Sequence, residues 1–203
     1  MKKLTILMAC AVAPLLAADN GAMNGAERAY LIEQLEQSKK NMLASIQGVT
    51  EAQWKFKPAP NVWSVAECAE HIILAEDFIF GGSQQILKTP VVARLETANA
   101  EADKKLVAMI QDRSKKATAP EPITPSGRFA TPEDAAKEFT ARRNKTIEYV
   151  KTTQDDLRVH VMDGPAGKMD AYQFLLLLAS HSARHTAQIL EVQSNADYPK
   201  ATP

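Results

Sequence analysis

The sequence predicts an all-α domain: an antiparallel four-helix bundle with an extra irregular helical segment and a long loop between its second and third major helices. Three observations carry that expectation. Long stretches repeat apolar residues at helical spacing, strand-like alternation is hard to find, and aromatic residues are sparse at 6%. The 203 residues, 45% of them apolar, suit one domain of ordinary size. The 24 basic and 24 acidic side chains cancel, and no long basic run appears. A nucleic-acid partner is therefore not expected, because phosphate binding needs concentrated positive charge.

The first segment, residues 1–22 (MKKLTILMACAVAPLLAADNGA), stands outside the bundle. Lys2 and Lys3 form a short basic start, and an apolar run follows from Leu4 to Ala18. That run is short of the ~20 residues a spanning helix needs, so it reads as a secretory signal peptide cut between Ala17 and Ala22. The mature chain is then expected in the periplasm or outside the cell, with no stable membrane span. A minor alternative makes Cys10, in LMAC, the lipidated residue of a lipoprotein. Against it, the apolar run continues well past Cys10. Once the signal is gone Cys68 is the only cysteine, so an internal disulfide is excluded and a buried thiol is expected.

The domain is placed at residues 26–195, with a tail at 196–203. Residues 26–47 carry Leu31, Leu35, Met42 and Ile46 at helical spacing, and Gly48 is a plausible stop. The connector that follows holds Pro58 and Pro60 and cannot be one continuous helix. Ser64 with Glu67 three residues later makes a capping box for the second major helix, expected to end at Gly81-Gly82. Residues 84–116 are helical in composition but interrupted by Pro90, and residues 117–130, with three prolines and a glycine, read as a surface loop. Thr131 suits an N-cap, Pro132 a first helical turn, and Phe139, Ile147 and Val150 give the third helix its core face. HVMDGPAGK turns the chain, and Asp170 with Gln173 caps the last helix, which runs to about Asn195.

That last helix carries the functional signal. Phe174, Leu178, His181, His185, Gln188 and Val192 are spaced 4, 3, 4, 3, 4, the seam that faces a bundle interior. An imidazole buried without partners costs on the order of 1–3 kcal/mol, so the pair on adjacent turns demands an explanation. The (i, i+4) spacing puts both rings on one side, close enough to share one metal ion. On the second helix Cys68, His71, Ala75 and Phe78 form the corresponding seam, so His71 is expected to turn inward and complete a three-histidine site. Such a site leaves coordination positions open, as catalytic metal centres do. Around it, Gln188 is a candidate partner for a ring or a metal-bound water. Arg184 suits an anionic substrate or plain solvent, and Cys68 either approaches the metal or fills the core. Glu67 is explained by its cap, His160 reads as a solvated turn residue, and Trp54 and Trp63 as packing at the bundle end.

AQWKFKPAPNVWSVAECAEHIILAED, followed about a hundred residues later by LLLLASHSARHTAQI, resembles the DinB-like superfamily of four-helix bundles, also called the DinB/YfiT metalloenzymes. Those proteins carry Trp-Ser at the start of the second helix with a histidine seven residues on, and a last helix with histidines four apart followed by glutamine. Here these are Trp63-Ser64, His71, His181, His185 and Gln188. The resemblance implies a divalent metal ion, commonly zinc or nickel, on the three histidines. It also implies a hydrolase, or a transferase or isomerase working with thiols such as bacillithiol or mycothiol. Two departures stand out: an export signal, although those thiols are cytosolic, and the long segment from Pro90 to Ala130. Hydrolysis of a small-molecule substrate is the simplest use of the centre. The alternatives are a non-catalytic bundle binding metal or a small ligand in a storage or stress role, and a structural domain whose imidazoles bond one another. Pairing into a homodimer through an exposed helix face is compatible with each.

Overall fold

Side-chain oxygens set where the helices begin. In the computed structural model, which describes residues 23–200, Asn24 accepts from the amide of Glu27, whose carboxylate accepts in return from Asn24. Helix α1 (Gly25–Ile46) starts there and stops before Gly48, whose φ of +71° ends it in the left-handed region. Thr50 and Gln53 form a second capping box and start a five-residue helix, α2 (Glu51–Lys55), in the connector ahead of the prolines. Ser64 and Glu67 start α3 (Val65–Ile86) as expected. The proposed signal peptide and Cys10 lie outside the described residues.

Helix α3 does not end at Gly81-Gly82 but continues to Ile86. Each glycine costs a helix about 1 kcal/mol, yet Ser83 and Ile86 beyond them are both fully buried, and tertiary packing holds the last turn. Gly82 also lies against the Phe174 ring, 3.5 Å from where a Cβ would stand. The seam of α3 is corrected at its far end as well. Cys68, His71 and Ala75 are buried, but Phe78 is 49% exposed and Ile79 takes the inward place.

Next come an irregular stretch, α4 (Ala100–Gln111), a 3-10 turn at Glu121–Ile123, and α5 (Pro132–Thr152), capped by Thr131. The expected simple turn before the last helix is a small hairpin. Strand β1 (Val161–Gly164) pairs antiparallel with β2 (Gly167–Asp170), Val161 opposite Asp170. Asp170 and Gln173 then cap α6 (Ala171–Gln193). Among the described residues, no helix is long and apolar enough to cross a membrane.

The four long helices α1, α3, α5 and α6 form the bundle, and their end contacts give their directions. Arg28 near the start of α1 donates to the carbonyls of Val150 and Thr153 at the end of α5, so these two run oppositely. Tyr172 at the start of α6 donates to Glu27 O, and Gln193 at its end to Ser45 O, so α6 runs with α1. Gly82 near the end of α3 meets Phe174 at the start of α6, so α3 opposes α6 and runs with α5. The order is up-down-down-up, and each long helix has one antiparallel neighbour and one parallel one. Two successive helices running the same way need a connection that returns along the whole bundle. At 1.5 Å per residue a 22-residue helix is about 33 Å long, and residues 87–131 cover that return, with α4 laid along α6. The segment from Pro90 to Ala130 is this crossover.

The core is two apolar clusters with a polar layer between. One gathers Leu31, Leu35, Ile79, Ile147 and Leu175 to Ala179; the other gathers Met42, Trp54, Cys68, Ile72, Phe139 and Ile189. Ser38 of α1, Arg143 of α5, and His181, Ser182 and His185 of α6 lie between them along their helices, while on α3 His71 and Glu76 flank the boundary at Ile73 and Leu74 where one cluster gives way to the other.

Candidate metal centre

The antiparallel pair α3 and α6 brings three imidazoles together. One ring nitrogen from each of His71, His181 and His185 lies within 4.8 Å of the others, a group able to hold a metal ion. His71 is 2% exposed, while His181 and His185 are half-buried. Ring centroids stand 4.3 Å apart for His71 and His185, 4.5 Å for His181 and His185, and 4.8 Å for His71 and His181.

The hydrogen-bond partners decide where the ring protons sit. Nδ1 of His71 is 2.7 Å from the carbonyl oxygen of Ile123. A carbonyl only accepts, so Nδ1 carries the proton and Nε2 presents a lone pair. Nδ1 of His185 is 2.8 Å from Gln188 Oε1, which also accepts from Arg113 Nη1 at 3.2 Å. Arg113 can only donate, which marks this atom as the amide oxygen; an oxygen only accepts, so His185 too is protonated on Nδ1, leaving Nε2 to the cluster. Nε2 of His181 is 3.1 Å from Nε2 of His71, and Nδ1 of His181 is buried without a partner. The three rings thus turn basic nitrogens towards one another with at most one ring proton, that of His181, to share among them.

A cation meets that need. Nitrogens 2.0–2.1 Å from a tetrahedral zinc are about 3.3 Å apart, close to the 3.1 Å between His71 and His181. The electrostatics agree. Burial, then the neighbouring His185 and His71, holds His181 well below the ordinary imidazole range. Burial first, with His71 and Arg113 adding to it, takes His185 down to about 3. Burial also lowers His71, against the pull of its bond to Ile123. All three rings are neutral near pH 7, the form a metal requires.

The crossover, whose role the sequence leaves blank, builds much of the surround. Its proline-rich stretch is not a free surface loop. Glu70, 2% exposed, accepts from the amides of Ser126, Gly127 and Arg128 at 2.8, 2.8 and 3.1 Å. This pins the stretch over α3 and seats Ile123 against His71. Trp63 forms a wall, its ring 4.8 Å from that of His71 and 6.0 Å from that of His185. Trp54 is buried and donates from Nε1 to Phe129 O.

The remaining candidates fall elsewhere. Cys68 is fully buried, outside the metal-holding group, and burial pushes its thiol up to about 12. Arg184 neither faces solvent freely nor lines the histidine cluster: it donates to the carbonyls of Ile110, Asp112 and Lys115, tying the end of α4 to α6. His160 is not free in solvent either, with Nδ1 2.7 Å from Thr89 O. Sequence reading missed Arg113, Glu70 and Ile123 altogether. Glu70 had only its place beside His71 to suggest it, since its partners lie 56 to 58 residues away.

Residues 34–189 match the DinB superfamily. A relative is the uncharacterized protein YuaE of Bacillus subtilis (strain 168), 21% identical over 153 residues, which cover 75% of this chain and 90% of that protein. No solved structure matches.

Proposed function

The chain belongs to the DinB superfamily, and from that membership and the converged imidazoles we propose that His71, His181 and His185 hold one divalent metal ion, zinc or nickel. In this reading the centre serves a hydrolytic or group-transfer reaction on a small molecule. The observation that carries it is the meeting of three ring nitrogens within 4.8 Å, from two helices that the fold runs in opposite directions. When bound, the ion would supply Lewis acidity beside open coordination positions. The protein's own groups do the rest. Ile123 O and Gln188 Oε1 orient His71 and His185, and Trp63 offers an apolar wall to a ligand. The pinned crossover keeps water from the back of His71. Hydrolysis is preferred to thiol transfer because residues 1–22 support export, and the thiols named above are cytosolic. On the same support we place the mature protein in the periplasm or outside the cell.

A second reading, a non-catalytic bundle that binds metal or a small ligand in a stress-related role, is favoured by one observation. The carboxylates nearest His71 in sequence are committed elsewhere. Glu67 accepts from Lys57 at 2.7 Å and from the Ser64 amide, and Glu70 from three crossover amides. Neither is free to act as a base. Elemental analysis of the purified protein and of the variant with all three histidines replaced by alanine tests the shared premise. Equal metal content in the two removes the first reading and the metal-binding form of the second. Turnover of an ester, amide or thiol-adduct panel by the loaded protein separates them, the first reading requiring it.

A further inference from the structure

Arg113 lies in the crossover just past α4, its side chain 23% exposed. Nε and Nη2 donate to the two carboxylate oxygens of Glu191 at 2.6 and 2.7 Å, a fork-on-fork pair that fixes the guanidinium plane. The remaining nitrogen, Nη1, reaches Gln188 Oε1 at 3.2 Å. An arginine has only donors to offer, so it favours one of the two orientations open to the Gln188 amide, with oxygen towards itself. The same oxygen faces His185 Nδ1 at 2.8 Å.

With the amide turned the other way, its NH2 group would face a guanidinium that cannot accept. His185 Nδ1 would then have to accept, and the ring proton would move to Nε2, the nitrogen left for the cluster. A proton there closes that nitrogen to a metal. We infer that Arg113 is a positioning residue for the centre: held by Glu191, it sets the Gln188 amide so that His185 keeps its proton on Nδ1 and leaves Nε2 open. The inference rests on the proposed metal centre for its purpose, but the chain of contacts from Glu191 to His185 exists without a metal.

The test has two readouts on the full chain: the His185 tautomer in metal-free protein, from long-range nitrogen-15 correlation NMR, and zinc affinity by chelator competition. Wild-type protein is expected to hold the Nδ1–H form. Arg113→Met is expected to shift His185 towards the Nε2–H form and to weaken zinc binding about tenfold, the low end for outer-shell partners of metal ligands. Adding Gln188→Glu to Arg113→Met should restore the Nδ1–H form, because a carboxylate accepts whichever way it turns. Arg184→Met, which loosens the same crossover without touching Gln188, should leave the tautomer alone and so exposes a merely structural effect. An unchanged tautomer in Arg113→Met, or an equal shift in Arg184→Met, overturns the inference. If wild-type protein binds no zinc while the tautomer still follows residue 113, the positioning role stands and the metal-centre reading falls.

Discussion

Arg143 and His181 sit in the same polar layer, and their surroundings differ in kind. Arg143 is fully buried, and its N–H groups make five bonds: two to the Glu76 carboxylate and one each to Leu35 O, Ser38 Oγ and Ser182 Oγ. Five donors is the whole complement of a guanidinium. One residue from Ser182, His181 has two imidazoles for company and a ring nitrogen with no partner. A similar closed set surrounds Arg158, which bonds Asp103 at 2.6 Å and Asp170 at 3.1 Å and lies over the Tyr172 ring. Where opposite charges complete one another, the cluster is part of the fold. Where three bases of the same kind face each other, the set stays open to a complement from outside.

The closed cluster around Arg143 is most vulnerable at Glu76. Replacing one partner of a buried ion pair leaves the other charge uncompensated, so Glu76→Ala is expected to cost about 3–5 kcal/mol. Urea denaturation checks this, and a loss under about 1 kcal/mol would mean the closed cluster is not structural.

Next in size is the response to zinc. Binding to the folded state alone should stabilise the wild type by ~4 kcal/mol at a thousandfold excess over Kd. His181→Ala should abolish that gain while costing the metal-free protein far less than Glu76→Ala does. Melting curves with and without zinc decide it.

Acid should sharpen the contrast further. The folded rings are held below the ordinary value of 6.5, His185 at about 3. Below pH 6.5 the unfolded chain therefore takes up protons that the folded one refuses. Stability of the metal-free protein should fall as pH drops from about 6.5 towards 3, by up to about 1.4 kcal/mol per pH unit for each ring. His185→Gln should flatten that slope. Urea midpoints at pH 7 and pH 5 are the measurement, and equal values would contradict it.

The smallest effect sets the floor. Lys55 and Glu51 pair at 2.6 Å with side chains 63% and 80% exposed, and Lys55→Met should leave the urea midpoint where it stands in the wild type.

What could be read from the sequence was what lay within a turn or two. The Ser64–Glu67 and Asp170–Gln173 boxes and the Thr131 cap involve neighbours, and the histidine seam of α6 repeats over several turns. Phe78 was misplaced because an alternating 3–4 spacing drifts against 3.6 residues per turn, and the buried stripe moves on to Ile79. The end of α3 was misjudged because only packing of Ser83 and Ile86 overrides two glycines. Four-residue strands are too short to show alternation, so the hairpin left no trace. Arg113, Arg184 and Glu70 act on partners 56 to 78 residues away, and no local pattern carries that.

The bond that steadies His71 comes from the main-chain oxygen of residue 123, not from a side chain. Every amino acid brings that oxygen, so point changes at 123 that keep its buried, apolar character should drift freely through descendants without disturbing the imidazole. Insertions and deletions are another matter. Adding or dropping one residue between position 123 and the Glu70-bound amides would slide a different carbonyl into place. Along this stretch selection would guard length more strictly than letters.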